Sequence, residues 1–371
     1  MTHAKSRTTG FVESRRSAFR HLAGATLAAA GASSLALRAW AASSPSDAAE
    51  AALAAKVPSG TKLTVADQDD AVSIPWRLSS VGNGAPYEAT IANFAGGTAV
   101  LEALISGAVD IGYVGEAPLP LAVGQGVTDL VAVAANANPG SAGGYFLVAQ
   151  PKSGIKTVPD LRGKTVAYPP GTGRHMIVAS ILHANGLSLS KDVKGIQLTG
   201  AEVAPTFASG AVDAAIILGG QYFRLGKPPI IADGAGHNWG LNVWLVRKSL
   251  LKNPAKTAAV ADFVRRAVSL FNWQIAHQDA WIKANYVQKQ GLSFEQGKWV
   301  DASAGGGQYY PIDGTLGAVF QQIADGLLAT GALKQKIDIS TFIDGRFNEI
   351  VASQNEKDGV AAKVLKQPNR A

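Results

Sequence analysis

A chain of 371 residues that is 47% hydrophobic and 16% charged has enough apolar content to build one large core or two medium ones, and too much to remain disordered. Its net charge of +7 is gathered at the start: residues 1–41 carry six of the 34 basic residues and one of the 27 acidic ones. The remainder, 28 against 26, is close to neutral and has no field suited to gripping a nucleic-acid backbone. With no cysteine, structural disulfides, thiol catalysis, Cys-ligated metal centres and a lipoprotein anchor are excluded.

Residues 1–41 read as an export signal. SRRSAFRHL is its basic region, LAGATLAAAGASSLAL (22–37) its apolar region and AWA (39–41) a small-x-small cleavage site. The apolar run is too short and too rich in Gly and Ser for a membrane span. The arginine pair resembles a twin-arginine signal, except that Phe19 stands three residues after it rather than two, so both the Tat and the Sec route stay open. Residues 42–58 are expected to be a linker.

Strands are then expected at KLTVAD (62–67) and YEATIANF (87–94), where apolar and polar residues alternate. TAVLEALIS (98–106) places Val100, Leu101, Leu104 and Ile105 on one helical face, with Thr98 as N-cap and Gly107 as stop. VDIGYV (109–114), DLVAVAAN (129–136) and GGYFLVAQ (143–150) follow as strands. From residue 151 the style repeats: a helix opened by Asp160, the strand KTVAY, a Pro/Gly turn, a long helix ending at Gly186, the strand IQLTG, the helix EVAPTFAS and the strand VDAAIIL. GLNVWLVRKS (240–249) is the next strand, and everything from Pro254 on is helical in pattern. The five residues SGAVD occur twice, at 106–110 and 209–213, each time where a helix ends at Gly and an apolar strand begins. Strands and helices alternating in this way predict an α/β protein with mainly parallel sheets.

FAGGTAVLEALISGAVDIGYVGEAPLPLA, VPDLRGKTVAYPPGTGRHMIVASILHANGLS and FASGAVDAAI, in that order, resemble the periplasmic substrate-binding proteins of aliphatic sulfonate, taurine and nitrate ABC importers, and PIDGTLGAVFQQIADGLLATGAL resembles their closing helices. The resemblance runs from about Thr61 to about Asp344. It implies a type II periplasmic binding fold, two α/β lobes joined by two hinge strands. The first lobe is expected at 59–148 and 240–371 and the second at 152–236, with hinges near Ala149–Pro151 and Gly236–Asn242. It also implies a monomer without cofactor or metal, located in the periplasm, that holds a small-molecule anion between its lobes and docks on a membrane permease when closed. The organosulfur anions (aliphatic sulfonate, taurine, sulfate ester) are the leading ligands; nitrate or a pyrimidine-type heterocycle is the alternative.

GTGRHM (171–176), between a strand and a helix, is placed to bind an anion at a helix N-terminus. It resembles the family's Gly-Ser-Ser-x-His at Gly171, Thr172 and His175, with Gly173 replacing the second Ser. Arg174 can add a guanidinium fork or lie in solvent. Gly97 and Thr98 open the earlier helix and offer either further N–H donors or an ordinary cap. Gln68 follows the first strand, where relatives carry Gln. The next two residues, Asp69 and Asp70, are unwelcome beside an anion: either they point outward as a turn, the favoured reading, or the ligand also carries a cationic or hydroxyl group. Glu116 stands in GYVGEAP, which matches Gly-Tyr-x-Gly-Asp-x-Pro; it holds a ligand amine or, the favoured reading, orders its loop. In ILGGQYF (217–223) a run that is often Trp-Asp-Pro is missing, and Gln221 and Tyr222 are expected as replacement contacts, with Asn242 at the second hinge. HExxH, GxSxG and P-loop patterns are absent, and an exported enzyme on this fold is the lesser alternative.

Overall fold

The computed structural model describes residues 52–138 and 143–365; the expected export signal at 1–41 lies outside them. The end of the expected linker does not behave as one, because Val57 is buried and Leu53 packs beside it against the core.

The chain begins with β1 (Lys62–Gln68), α1 (Ser73–Leu78), β2 (Glu88–Phe94), α2 (Gly97–Ser106), β3 (Ile111–Gly115), α3 (Pro118–Gly124) and β4 (Leu130–Ala137). It continues through β5 (Tyr145–Ala149), β6 (Thr165–Tyr168), α4 (Gly173–Ala184), β7 (Lys194–Gln197), α5 (Val203–Ala208), β8 (Ala214–Leu218), α6 (Gly219–Arg224) and β9 (Ile230–Asp233). It ends with β10 (Asn242–Arg247), α7 (Pro254–Ala276), α8 (Gln278–Trp281), a π-helical turn Ile282–Gln288, α9 (Phe294–Ala304), β11 (Gln308–Tyr310), α10 (Gly314–Ala329) and α11 (Asn348–Lys357). Two sheets result, in the orders β11-β4-β10-β3-β1-β2 and β7-β6-β8-β5-β9.

Four strands of each sheet are arranged alike. β1 pairs in parallel with β2 and β3, and β6 with β7 and β8. An antiparallel strand then joins each: β10 beside β3, and β5 beside β8. Each copy of SGAVD feeds the equivalent strand, β3 or β8. Its Asp does the same work twice: the Asp110 carboxylate accepts from the Thr64 N–H (2.9 Å) and the Asp213 carboxylate from the Thr165 N–H (2.8 Å). Gly107 and Gly210 both turn with positive φ just before, a backbone shape that costs glycine little.

Two boundaries differ from expectation. β5, expected in the first lobe, exchanges its whole length with β8 and belongs to the second sheet, with Phe146, Leu147 and Val148 buried there. A half-buried strand carries no mark in its own sequence of which sheet will receive it. The chain therefore leaves the first sheet between Ala137 and Tyr145, a passage partly outside the described residues, and returns between Asp233 and Asn242. Beyond Pro254 the pattern is helical except for β11, which pairs with the edge strand β4. There α9 returns to the second sheet: Trp299 stacks on Phe146 (5.1 Å) and Tyr222 (5.4 Å). Thr98 does not cap α2, whose N-cap is Gly96. Asp160 instead closes a capping box with Thr157, one turn before the place expected.

Apolar clusters cover both faces of each sheet. Trp244, Phe263 and Leu63 are among the fully buried side chains of the first, Leu147, Ile177 and Ile181 of the second. No helix among the described residues is long and apolar enough to cross a membrane.

Candidate functional site

Strands that run in parallel end together, so the turns after them gather at one edge of each sheet. The turns after β1, β2 and β3 meet those after β6, β7 and β8 around a cavity of about 930 Å³. Gln68, Gly97, Thr98, Glu116 and Asn242 line it from the first sheet, and Thr172, Gly173 and Arg174 from the second.

Two helices point their first turns into this cavity. α4 begins after Pro169-Pro170-Gly171, a turn that Gly171 completes at φ 70. Thr172 spends its hydroxyl on the Pro169 carbonyl (2.9 Å) and does not cap the helix, which leaves the first N–H groups of α4 to the cavity. α2 likewise begins without a side-chain cap. Gly97 fits closely there, since a Cβ at that position would stand 3.0 Å from Pro118 and 3.5 Å from the Gln68 amide oxygen.

Arg174 supplies the full positive charge. Its Nη1 is buried and has no hydrogen-bond partner. The guanidinium lies against the backbone at Gly200, where a Cβ would come within 2.5 Å of Nη2. Burial lowers its pKa, while Tyr145 and Asp69 oppose the shift. Arg174 therefore does not lie in solvent.

Glu116, between β3 and α3, is 3% exposed, and neither of its oxygens has a hydrogen-bond partner. Burial drives its pKa up to about 8; the Leu241 and Trp239 amides draw it partly back without meeting hydrogen-bond geometry. The carboxyl is thus neutral at pH 7, and loop-ordering, the favoured reading from sequence, has no hydrogen bond to rest on. Asp69 also departs from expectation, because it lines the cavity. Asp70 does point away, to Ser73 (2.9 Å) and Lys289 (2.7 Å). Both aspartates hold a left-handed backbone, φ 56 and 59.

Three expected contacts lie elsewhere. His175 turns from the cavity to stack on Tyr168 (4.8 Å), and its Nδ1 accepts from the Gly171 N–H (3.3 Å), which orders the turn. Burial lowers its pKa and keeps it neutral. Gln221 folds back to accept from the Leu218 N–H (3.0 Å) at the start of α6. Tyr222 is taken up by the aromatic group around Trp299. Sequence reasoning missed Tyr145, which lines the cavity from the first residue of β5 and whose hydroxyl would lie 3.4 Å from a Cβ at Gly173. It also missed Asn138, Asn238, Gln197 and Thr199 in the walls. The only signal for these was their position at or near strand ends.

Two α/β sheets facing each other across a polar cavity are the fold of the periplasmic binding proteins. An alkanesulfonate-binding protein of Xanthomonas axonopodis pv. citri, solved bound to MOPS, superposes with a TM-score of 0.67 at 21% identity, over 78% of this chain and 99% of that one. Residues 88–231 match the NMT1/THI5 like family. A protein of Escherichia coli K12 named for binding aliphatic sulfonates is 37% identical over 121 residues, 33% of this chain and 37% of its own. The taurine-binding periplasmic protein of the same organism is 29% identical over 196 residues, 51% of this chain and 58% of its own. The matches thus span between about a third and somewhat over half of these relatives' length. The fold is shared by a desulfurization enzyme at TM-score 0.57 and 15% identity, so fold alone does not separate binding from turnover.

Proposed function

We propose that this chain is an extracytoplasmic solute-binding protein of an ABC importer. It holds a small organosulfur anion in the cleft between its two sheets and delivers it to a membrane permease. One observation carries the reading: the uncapped first turns of α2 and α4 and the unpartnered Nη1 of Arg174 open on one cavity from opposite sheets. Such donors suit the oxygens of a sulfonate or sulfate ester, and a ligand that touches both sheets favours their closure. The relatives named for sulfonates and taurine support the same class, and their periplasmic setting agrees with the export signal expected at residues 1–41. No feature of the cavity favours turnover over binding.

A thermal-shift panel of alkanesulfonates, taurine, arylsulfonates, sulfate esters, nitrate and pyrimidines tests this. A true ligand at about 100 times its Kd adds about 2.7 kcal/mol and raises Tm by several degrees. A response to a sulfonate or sulfate ester is expected. A response to nitrate or a pyrimidine alone, or none to any anion, overturns the assignment.

A further inference from the structure

We propose that Lys289 is a latch between the two sheets. It holds the turn of Asp69 and Asp70 in the shape that forms part of the cavity wall, and its contact must break for a bound ligand to leave. The inference goes beyond the proposed function, because it rests on how the two sheets are tied and not on which ligand they take. The turn needs holding: Asp69 and Asp70 follow one another at φ 56 and 59, a left-handed backbone that residues with a Cβ adopt at a cost. Gln68 and Asp69 line the cavity from this turn, and the Gln68 amide oxygen reaches the start of α2. A strained segment of this kind keeps its shape only where its neighbours over-determine it.

Lys289 is one such neighbour, and it comes from a distant part of the chain. Its ammonium donates to the Asp69 carbonyl and pairs with one oxygen of the Asp70 carboxylate at 2.7 Å. The other oxygen accepts from Ser73 (2.9 Å) and Asn93 (2.7 Å), so the first sheet aims the carboxylate and Lys289 completes its partners. The two side chains are 32% and 27% exposed, whereas the pair of Lys298 and Glu295 on α9 is 54% and 80% exposed. Water therefore screens the latch less than an ordinary surface pair.

The segment that carries Lys289 is fastened to the second sheet. Gln290 lies so close to α6 that a Cβ at Gly220 would collide with its amide oxygen, and its carbonyl accepts from Arg224 (3.4 Å). Val300 meets Gly219 in the same way, 2.7 Å from where a Cβ would stand, and Trp299 stacks on Phe146. Two adjacent glycines thus admit this segment to the second sheet, and Lys289 passes the attachment on to a cavity turn of the first. A link of this kind resists separation of the two sheets.

Hydrogen exchange of the ligand-free full chain, followed by mass spectrometry over residues 68–76, tests the latch without any ligand. Lys289→Met should raise exchange there by about fivefold, the upper scale for one ion pair that is not fully exposed. Lys289→Arg should keep the protection, and Lys298→Met, which removes the same charge from the same segment, should match the wild type. Stopped-flow kinetics with ethanesulfonate supply the second reading. Dissociation should quicken by about fivefold in Lys289→Met with association little changed, a split that a general loss of stability does not produce. Unchanged exchange in Lys289→Met, an equal rise in Lys298→Met, or faster exchange with unchanged dissociation overturns the latch. Should Lys289→Met fail to fold, Asp70→Asn breaks the same pair from the other side and is read in the same way. If ethanesulfonate does not bind the wild-type protein, it is the proposed function that loses support, and the exchange comparison still decides for or against Lys289.

Discussion

Glu116 has a consequence for stability that needs no ligand. Its carboxyl holds a proton up to about pH 8 in the folded chain and loses it near 4.5 when unfolded. Between those values the folded state binds more protons, so stability falls as pH rises through that window, by an amount on the order of a few kcal/mol. Urea unfolding at pH 5 and pH 8 should show this loss in the wild-type protein and much less of it in Glu116→Gln; equal losses would mean that the carboxyl is relieved by a partner or by water. Gly200→Ala makes the second case at this scale, since its Cβ must push the Arg174 guanidinium aside. It should weaken anion binding severalfold with little change in Tm, whereas unchanged affinity would show that Arg174 is free to shift. These residues also mark how far the site was legible. Gln68, Arg174 and Asn242 are fixed by strand ends and a helix start, and local sequence reveals those. His175 follows Arg174 by one residue, about 100° around α4, and so faces Tyr168 instead. Which of two neighbours enters a cavity depends on what packs behind the helix, and a single sequence does not carry that.

At the scale of elements, the helix α2 lies on β3 so closely that only glycine fits at position 112. A Cβ there would meet Val100 at 2.6 Å and Leu104 at 3.0 Å. Gly112→Ala should therefore cost about 1–3 kcal/mol in urea unfolding, the usual penalty of overpacking. Gly326, inside α10, meets nothing within 4 Å, and Gly326→Ala should stabilise by up to about 1 kcal/mol through helix propensity. A neutral or stabilising Gly112→Ala would contradict the packing described for α2. The repeated SGAVD was legible as an element-level signal because a helix stop, an apolar residue and an Asp that ties the neighbouring strand are local needs, met identically in both sheets. The short elements α1, α3, α6 and β9 were not, because each is held by tertiary contacts rather than by its own periodicity.

For the whole molecule, α/β alternation and two sheets followed from the sequence, while the lobe to which β5 and α9 attach did not. An amphipathic segment shows which face is apolar, not which of two cores will cover it. The return of α9 to the second sheet, with Lys289 paired to Asp70 beside β1, sets a third link between the lobes in addition to the two passages. The proposed binding mode holds an anion in the cavity between the sheets by Arg174 and the helix starts. It is tested most directly by titrating the binding sulfonate against the wild-type protein and Arg174→Ala at one ionic strength. Affinity should be lower by about tenfold or more in the variant, the loss of one buried charge-assisted contact. Equal affinity in the two proteins would place the anion elsewhere and contradict it.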